Sequence, residues 1–177
     1  MNWKRMLIGL FALALFSVPA TAGSFGAYGS YWNSEEADKS WGGGARIGFS
    51  FVKHLELEFH GTYFPNFDTK LFLQNVGIKA TPVDGGLRLN LLPSAIVNPY
   101  VGAGVSHYFL DSDQGEIDDQ NGWYGEGGLD FGEKDTRAFA EAMWRKLDTD
   151  ISLGVFDSHT RFDGISFNAG VLWRWGK

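Results

Sequence analysis

Beyond residue 22 the chain is organised by a period of two, with bulky apolar residues alternating against glycine, small or ionic ones. Successive side chains of a strand point to opposite faces, so each such segment is a strand with one greasy wall and one polar wall. The last segment is the clearest. Ile165, Phe167, Ala169, Val171, Trp173 and Trp175 alternate with Gly164, Ser166, Asn168, Gly170, Leu172 and Arg174. Upstream, Trp41, Ala45, Ile47, Phe49 and Phe51 oppose Gly42, Gly44, Arg46, Gly48 and Ser50. Leu55, Leu57, Phe59 and Tyr63 oppose Glu56, Glu58, His60 and Thr62, and Val83, Leu87, Leu89 and Leu91 oppose Asp84, Gly86, Arg88 and Asn90. A fifth segment sets Val101, Ala103, Val105 and Phe109 against Tyr100, Gly102, Gly104, Ser106 and Tyr108. The sixth is weaker, with Trp123, Leu129 and Phe131 against Tyr124, Glu126 and Asp130. In the seventh, Ala138, Ala140, Ala142 and Trp144 oppose Arg137, Glu141 and Arg145, and Phe139 and Met143 break the pattern. The segment from Phe25 to Trp32 is too rich in Gly and Ser to assign a face. Eight strands are expected.

The links between them alternate in length. Lys53, Pro93–Val97 and Gly132–Lys134 are short, whereas Asn33–Ser40, Pro65–Asn75, Asp111–Gln120 and Asp148–Arg161 are long and polar. Short turns on one rim and long loops on the other are the habit of transmembrane barrels, whose short turns face the periplasm. An even strand number then leaves both mature ends on that side.

Alternation alone also fits a soluble barrel, and the two differ in which face points inward. An eight-stranded interior barely holds ordinary side chains, so repeated Phe, Leu and Trp would overfill it. The other face would then show water Gly42, Gly44, Gly48, Gly86, Gly102, Gly104 and Gly170, which weakens strands and packs nothing. With the greasy wall against acyl chains both difficulties disappear, and small residues leave room inside for Arg, Glu and Tyr. Trp41, Trp144, Trp173 and Trp175 fall near strand ends, where aromatic girdles sit. Composition agrees: Gly occurs 24 times in 177 residues and aromatics reach 16%, against about 7% Gly in ordinary chains. The fold expected is an all-β, closed, antiparallel eight-stranded transmembrane barrel over residues 23–177.

Residues 1–22 read as a removable export signal, with Lys4 and Arg5 before the apolar run Met6–Val18 and Ala20-Thr21-Ala22 as the small-x-small site. That run is too short for a membrane helix, which needs about 20 apolar residues. The formal charge of −6 is more negative still without Lys4 and Arg5. Without a basic cluster, nucleic acid is not an expected partner. There is no Cys, hence no disulfide and no thiolate metal site. No cofactor is expected.

At the C-terminus Asn168-x-Gly170-x-x-Trp173-x-Trp175 resembles the closing-strand signal of outer-membrane barrels, departing from it in the trailing Gly176-Lys177. Pro99-Tyr100-Val101-Gly102-Ala103-Gly104-Val105, with Gly86-Leu87-Arg88 and Leu92-Pro93, is similar to the middle of the OmpA-like and OmpW-like small barrels. The resemblance implies the outer membrane of a Gram-negative bacterium and contact with its lipid and lipopolysaccharide. It also implies recognition by the barrel-insertion machinery. A monomer is the expected state, and the peptidoglycan-binding domain of full-length OmpA-like proteins is not expected.

The polar wall carries Arg46, Glu56, Glu58, His60, Asp84, Arg88, Glu126, Asp130, Glu141, Arg145 and Arg174. Charges inside a membrane protein pair with one another, so a salt-bridge network plugging the lumen is the favoured reading and a gated ion path the sharper one. Glu58-x-His60-x-Thr62 sets an acid, an imidazole and a hydroxyl on one face, the ingredients of a hydrolytic triad. The lipid A deacylases, barrels resembling this one, carry a His-x-Ser pair on a strand. Here no His has Ser two residues on, and Ser158 and His159 are adjacent. Asp111–Asp119 is dense in carboxylates but lacks the Asp and Gly spacing of a Ca²⁺ loop. The function expected is therefore that of a non-enzymatic barrel serving envelope integrity, surface interaction or slow solute passage. The alternatives are a lipid A-modifying hydrolase with Glu58, His60 and Thr62, and a soluble periplasmic ligand-binding barrel.

Overall fold

A computed structural model of the chain describes residues 22–34, 39–71, 74–112, 120–133, 135–153, 156–161 and 164–176. The expected export signal lies outside these residues except for Ala22, which opens the first strand; most of the acidic Asp111–Asp119 segment also lies outside them. The described strands are β1 (Ala22–Ser34), β2 (Ser40–Val52), β3 (Leu55–Leu71), β4 (Gln74–Asn90), β5 (Val97–Ser112), β6 (Gln120–Phe131), β7 (Thr136–Leu153), β8 (Phe156–Arg161) and β9 (Gly164–Gly176).

From β1 to β7 each strand pairs antiparallel with its successor, and β9 pairs with both β7 and β1. Among the described residues eight strands therefore close a ring in which each strand is paired on both sides, the arrangement that satisfies ladder groups in lipid. β8 stands outside the ring and pairs with the upper part of β7, from Asp148↔Arg161 to Leu153↔Phe156. The closing seam runs from Ala22↔Gly176 to Ser34↔Gly164.

Two of the expected loops are corrected here. Pro65–Asn75 is not a loop, because β3 and β4 stay paired to Leu71↔Gln74 after a bulge between Phe64 and Phe67. Asp148–Arg161 is likewise largely the β7–β8 hairpin. The polar residues that suggest loops, Asp68 and Lys70 in one case and Asp148, Asp150 and Ser152 in the other, stand on paired strands, where the ladder satisfies their N–H and C=O groups.

The short-turn rim is tightly bonded. His54 O accepts from Asn90 N at 2.8 Å, Pro99 O from Leu91 N at 2.9 Å and Ile96 O from Gly132 N at 2.9 Å. Asn98 Oδ1 accepts from Leu92 N at 2.9 Å, and Arg137 Nη2 donates to Ala95 O at 3.0 Å. The β6–β7 turn bends at Gly132, whose φ of 141° is a conformation that residues with a Cβ rarely adopt.

The two walls face as the alternation requires. Leu87 (52% exposed), Val101, Val105, Phe109, Phe167, Val171 and Trp173 (47%) all point outward. Arg46, Arg88 and Arg145 point inward with at most 1% exposed. The open question of β1 is resolved: Ser24, Tyr28, Ser30 and Trp32 are buried and Phe25 is outward. Phe139 and Met143 do not break β7, since they share the inward parity of Arg137, Glu141 and Arg145 and are buried at 2% and 0%. The lumen thus holds an apolar minority, including a cluster of Tyr28, Phe139 and Leu172.

Candidate functional site

Among the described residues, the buried charged and polar side chains gather in the interior. Glycines make the room for it. A Cβ at Gly102 would lie 2.4 Å from Glu126 Oε1, and one at Gly44 would lie 2.5 Å from the Tyr28 ring. Each missing side chain is the space its neighbour's large one occupies, so the Gly-rich strands are the counterpart of a crowded lumen.

Nearest the short turns, Asp130 of β6 accepts from Arg88 Nη2 at 2.5 Å and Arg174 Nη2 at 2.9 Å. Asn98 Nδ2 reaches the same carboxylate at 3.3 Å and Asn90 Oδ1 at 2.8 Å. Glu56, expected in the charge network, has no ion pair among the described residues. It accepts from Ser24 Oγ at 2.6 Å and Asn90 Nδ2 at 3.3 Å.

At mid-height Arg46 of β2 spans the lumen, lying 3.8 Å from Glu58, 3.6 Å from Asp130 and 3.2 Å from Glu141. Arg88 Nη1 also meets Glu58, at 3.2 Å. Tyr100 donates to Glu141 at 2.8 Å, as does Asn168 Nδ2 at 2.7 Å. Aromatic faces complete the cations' surroundings: Arg46 Cζ stands 4.0 Å from the Phe139 ring centre and Arg88 Cζ 3.5 Å from that of Tyr100. Higher up, Arg145 Nη2 pairs with Asp84 at 2.7 Å, and its Nη1 donates to Ser166. Asp84 also accepts from Ser106 at 2.5 Å. Above this pair Trp32 packs against Phe64 at 5.3 Å and Tyr108 at 6.0 Å, and Arg145 Cζ lies 5.5 Å from the Trp32 ring.

All the charged residues picked out by sequence face inward, and Arg46, Glu58, Asp84, Arg88, Asp130, Glu141, Arg145 and Arg174 are joined by ion pairs. Glu126 is not among them, and neither of its carboxylate oxygens has a hydrogen-bond partner. The Glu58–His60–Thr62 triad is not assembled. His60 Nε2 lies 2.8 Å from Glu58 Oε1, but Thr62 Oγ1 is bonded to Tyr28 OH at 2.7 Å. Sequence reasoning missed the aromatic layer of Trp32, Phe64 and Tyr108, whose only trace is that each sits at an inward position of its strand.

The closing strand is equally concrete. Asn168 reaches Glu141, and a Cβ at Gly170 would lie 2.1 Å from Ala27 O. Gly170 therefore lets β9 approach β1 closely at Tyr28. Trp173 and Trp175 face outward, the first stacked 6.3 Å from Phe25.

The same architecture recurs in solved outer-membrane proteins. The chain superposes on OprG of Pseudomonas aeruginosa with a TM-score of 0.71 at 16% identity, covering 89% of this chain and 97% of that one. Neisserial surface protein A gives 0.62 at 13% identity, with 88% and 96% covered. The N-terminal barrel of P. aeruginosa OprF gives 0.59 at 14%, with 88% and 98% covered. No curated protein sequence matches significantly. The family described as the outer membrane protein beta-barrel domain matches residues 8–174. A ring of eight strands with an outward apolar wall and a family match spanning nearly the whole chain lead to one assignment: the chain belongs to the outer membrane protein beta-barrel domain family.

Proposed function

We propose that the mature chain is a non-enzymatic barrel of the Gram-negative outer membrane, delivered by the signal in residues 1–22, with a lumen closed to bulk ion flow. Its contribution is then to envelope integrity and to contacts made by the hairpins on the long-loop rim, with at most slow passage of small solutes. The observation that carries this reading is the cross-lumen layer in which Arg46 reaches Glu58, Asp130 and Glu141 from a single guanidinium. Those acids come from β3, β6 and β7, so the layer ties together strands from around the ring. Trp32, Phe64 and Tyr108 add an aromatic layer above it. Opening a path would require buried ion pairs to separate without water to replace them.

The hydrolase alternative draws no support from the geometry, because the Thr62 hydroxyl is held by Tyr28 and the Glu58–His60 pair lies within the lumen. Acyl chains of lipid A would meet the outer wall instead.

Planar-bilayer recording of the refolded protein tests the closed lumen. The expected trace shows no stable single-channel step in molar KCl, and a persistent large conductance would overturn the reading. Mass spectrometry of lipid A from cells expressing wild type or His60→Gln separates the enzyme alternative: identical lipid A is expected, and a modification lost with His60 would establish a hydrolase.

A further inference from the structure

Glu58 divides its carboxylate between two environments. Oε2 faces Arg88 at 3.2 Å and Arg46 at 3.8 Å, whereas Oε1 lies 2.8 Å from His60 Nε2. Glu126 reaches the same point from β6, three strands further round the ring. One ligand atom from each of Glu58, His60 and Glu126 lies within 4.8 Å of the other two. Glu126 is 7% exposed, and both its oxygens are without a hydrogen bond.

A carboxylate removed from water without a partner is strongly disfavoured, so something must neutralise Glu126. A proton shared with Glu58 is one solution and a cation is the other. The surroundings of His60 favour the cation. Its Nδ1 faces Glu141 Oε1 at 3.9 Å, and that oxygen is fixed by Asn168 Nδ2 at 2.7 Å. Neither imidazole nitrogen has a hydrogen-bond partner, so a buried ring set among carboxylates has Nε2 to offer an ion.

We propose that Glu58 Oε1, His60 Nε2 and Glu126 bind a divalent first-row transition ion of the zinc type inside the lumen. One imidazole nitrogen with two carboxylate oxygens suits such an ion better than Ca²⁺ or Mg²⁺, which prefer all-oxygen shells. Two carboxylates balance its double charge, while Arg46 and Arg88 remain with the opposite oxygen of Glu58. Ligands about 2.0 Å from a tetrahedral ion stand about 3.3 Å apart, so Glu58 and His60 need separate only slightly from their 2.8 Å contact. The ion joins β3 to β6 across the barrel and acts as a staple of the closed lumen. The sequence carries no metal motif because the ligands come from distant strands.

The test is refolding of the protein in detergent with Co²⁺, a coloured substitute for Zn²⁺, followed by desalting, visible spectroscopy and elemental analysis. Heat-modifiable gel mobility verifies the barrel in each sample. The expected result is about one Co²⁺ per folded barrel, with visible absorption bands that Zn²⁺ abolishes by displacement. Glu126→Gln preserves shape and removes an unpartnered charge; it and His60→Gln should each lower retained metal at least tenfold. Replacing the acids of residues 111–119 should leave it unchanged. A folded wild type retaining less than a tenth of an ion per barrel would overturn the proposal in favour of the shared proton. Undiminished metal in folded Glu126→Gln would place the ion elsewhere and overturn it equally.

Discussion

The outer and inner faces of the same strands obey opposite rules. On β5, Val101, Ala103 and Val105 face outward across from Leu89, Leu87 and Gly85 of β4, and their aliphatic side chains make no directional bond; Phe109 packs edge-on against His107 of its own strand at 4.7 Å. One position away, Tyr100 is bonded to Glu141, lies under Arg88 and is buried to 2%. Lipid asks only that a side chain be apolar, whereas the lumen asks for a shape and a charge that fit several others at once. The outer face is a composition and the inner face is a network. Substitutions should therefore behave almost independently outside and cooperatively inside.

The largest effect is expected from breaking one charge out of the network. Arg88→Met leaves Asp130 and Glu58 facing each other with a cation removed, and should cost about 3–5 kcal/mol in urea unfolding from lipid vesicles. Asp130→Asn combined with it should recover part of that loss, since the two residues share an ion pair. Simple addition of the two costs would break the distinction between the faces. Next comes a charge placed on the wrong side. Ala103→Arg, near mid-height of β5, should cost about 2–4 kcal/mol, the depth-dependent penalty of a lipid-facing cation. A neutral outcome would mean that this wall does not meet acyl chains.

A smaller effect is expected where the network needs empty space. A Cβ at Gly104 would sit 2.2 Å from Gly85 O and 2.6 Å from Gly86 Cα, both backbone atoms that cannot swing aside. Gly104→Ala should cost about 1–3 kcal/mol, read from the same unfolding curves. Smallest of all is an apolar exchange on the outer wall. Val101→Leu should change stability by less than about 0.5 kcal/mol, and a cost comparable with that of Gly104→Ala would show that the outer wall is packed as specifically as the lumen.

How far the sequence could be read follows the same division. Strand positions and facing were legible wherever a large apolar wall opposed a small or ionic one, as in β2 to β5 and β9. They failed in β1, where Tyr28 and Trp32 point inward among glycines and serines that look alike on both faces. They misled at Phe139 and Met143, because a lumen of this width needs some apolar filling between its charges and parity outranks hydrophobicity. The β7–β8 hairpin was hidden because Asp148, Asp150, Asp157 and Ser158 read as a polar link until the two segments are seen to pair. Within the lumen, the sequence supplied the charged residues and not their pairing, since Arg46 meets its acids only after the ring closes. For the same reason nothing marked Glu126 as the carboxylate without a partner.

Strand facing decides which side chains meet lipid and which fill the lumen, and a sequence with no cysteine makes it directly measurable. Spin labels placed singly at Tyr100, Val101, Ala103, Val105, Ser106, Tyr108 and Phe109 in lipid vesicles report collision with oxygen, which is concentrated in the bilayer, and with a polar nickel chelate in water. High oxygen and low nickel accessibility are expected at 101, 103, 105 and 109, and low oxygen accessibility at 100, 106 and 108. The reverse phase, or nickel access at the odd positions, would contradict that facing.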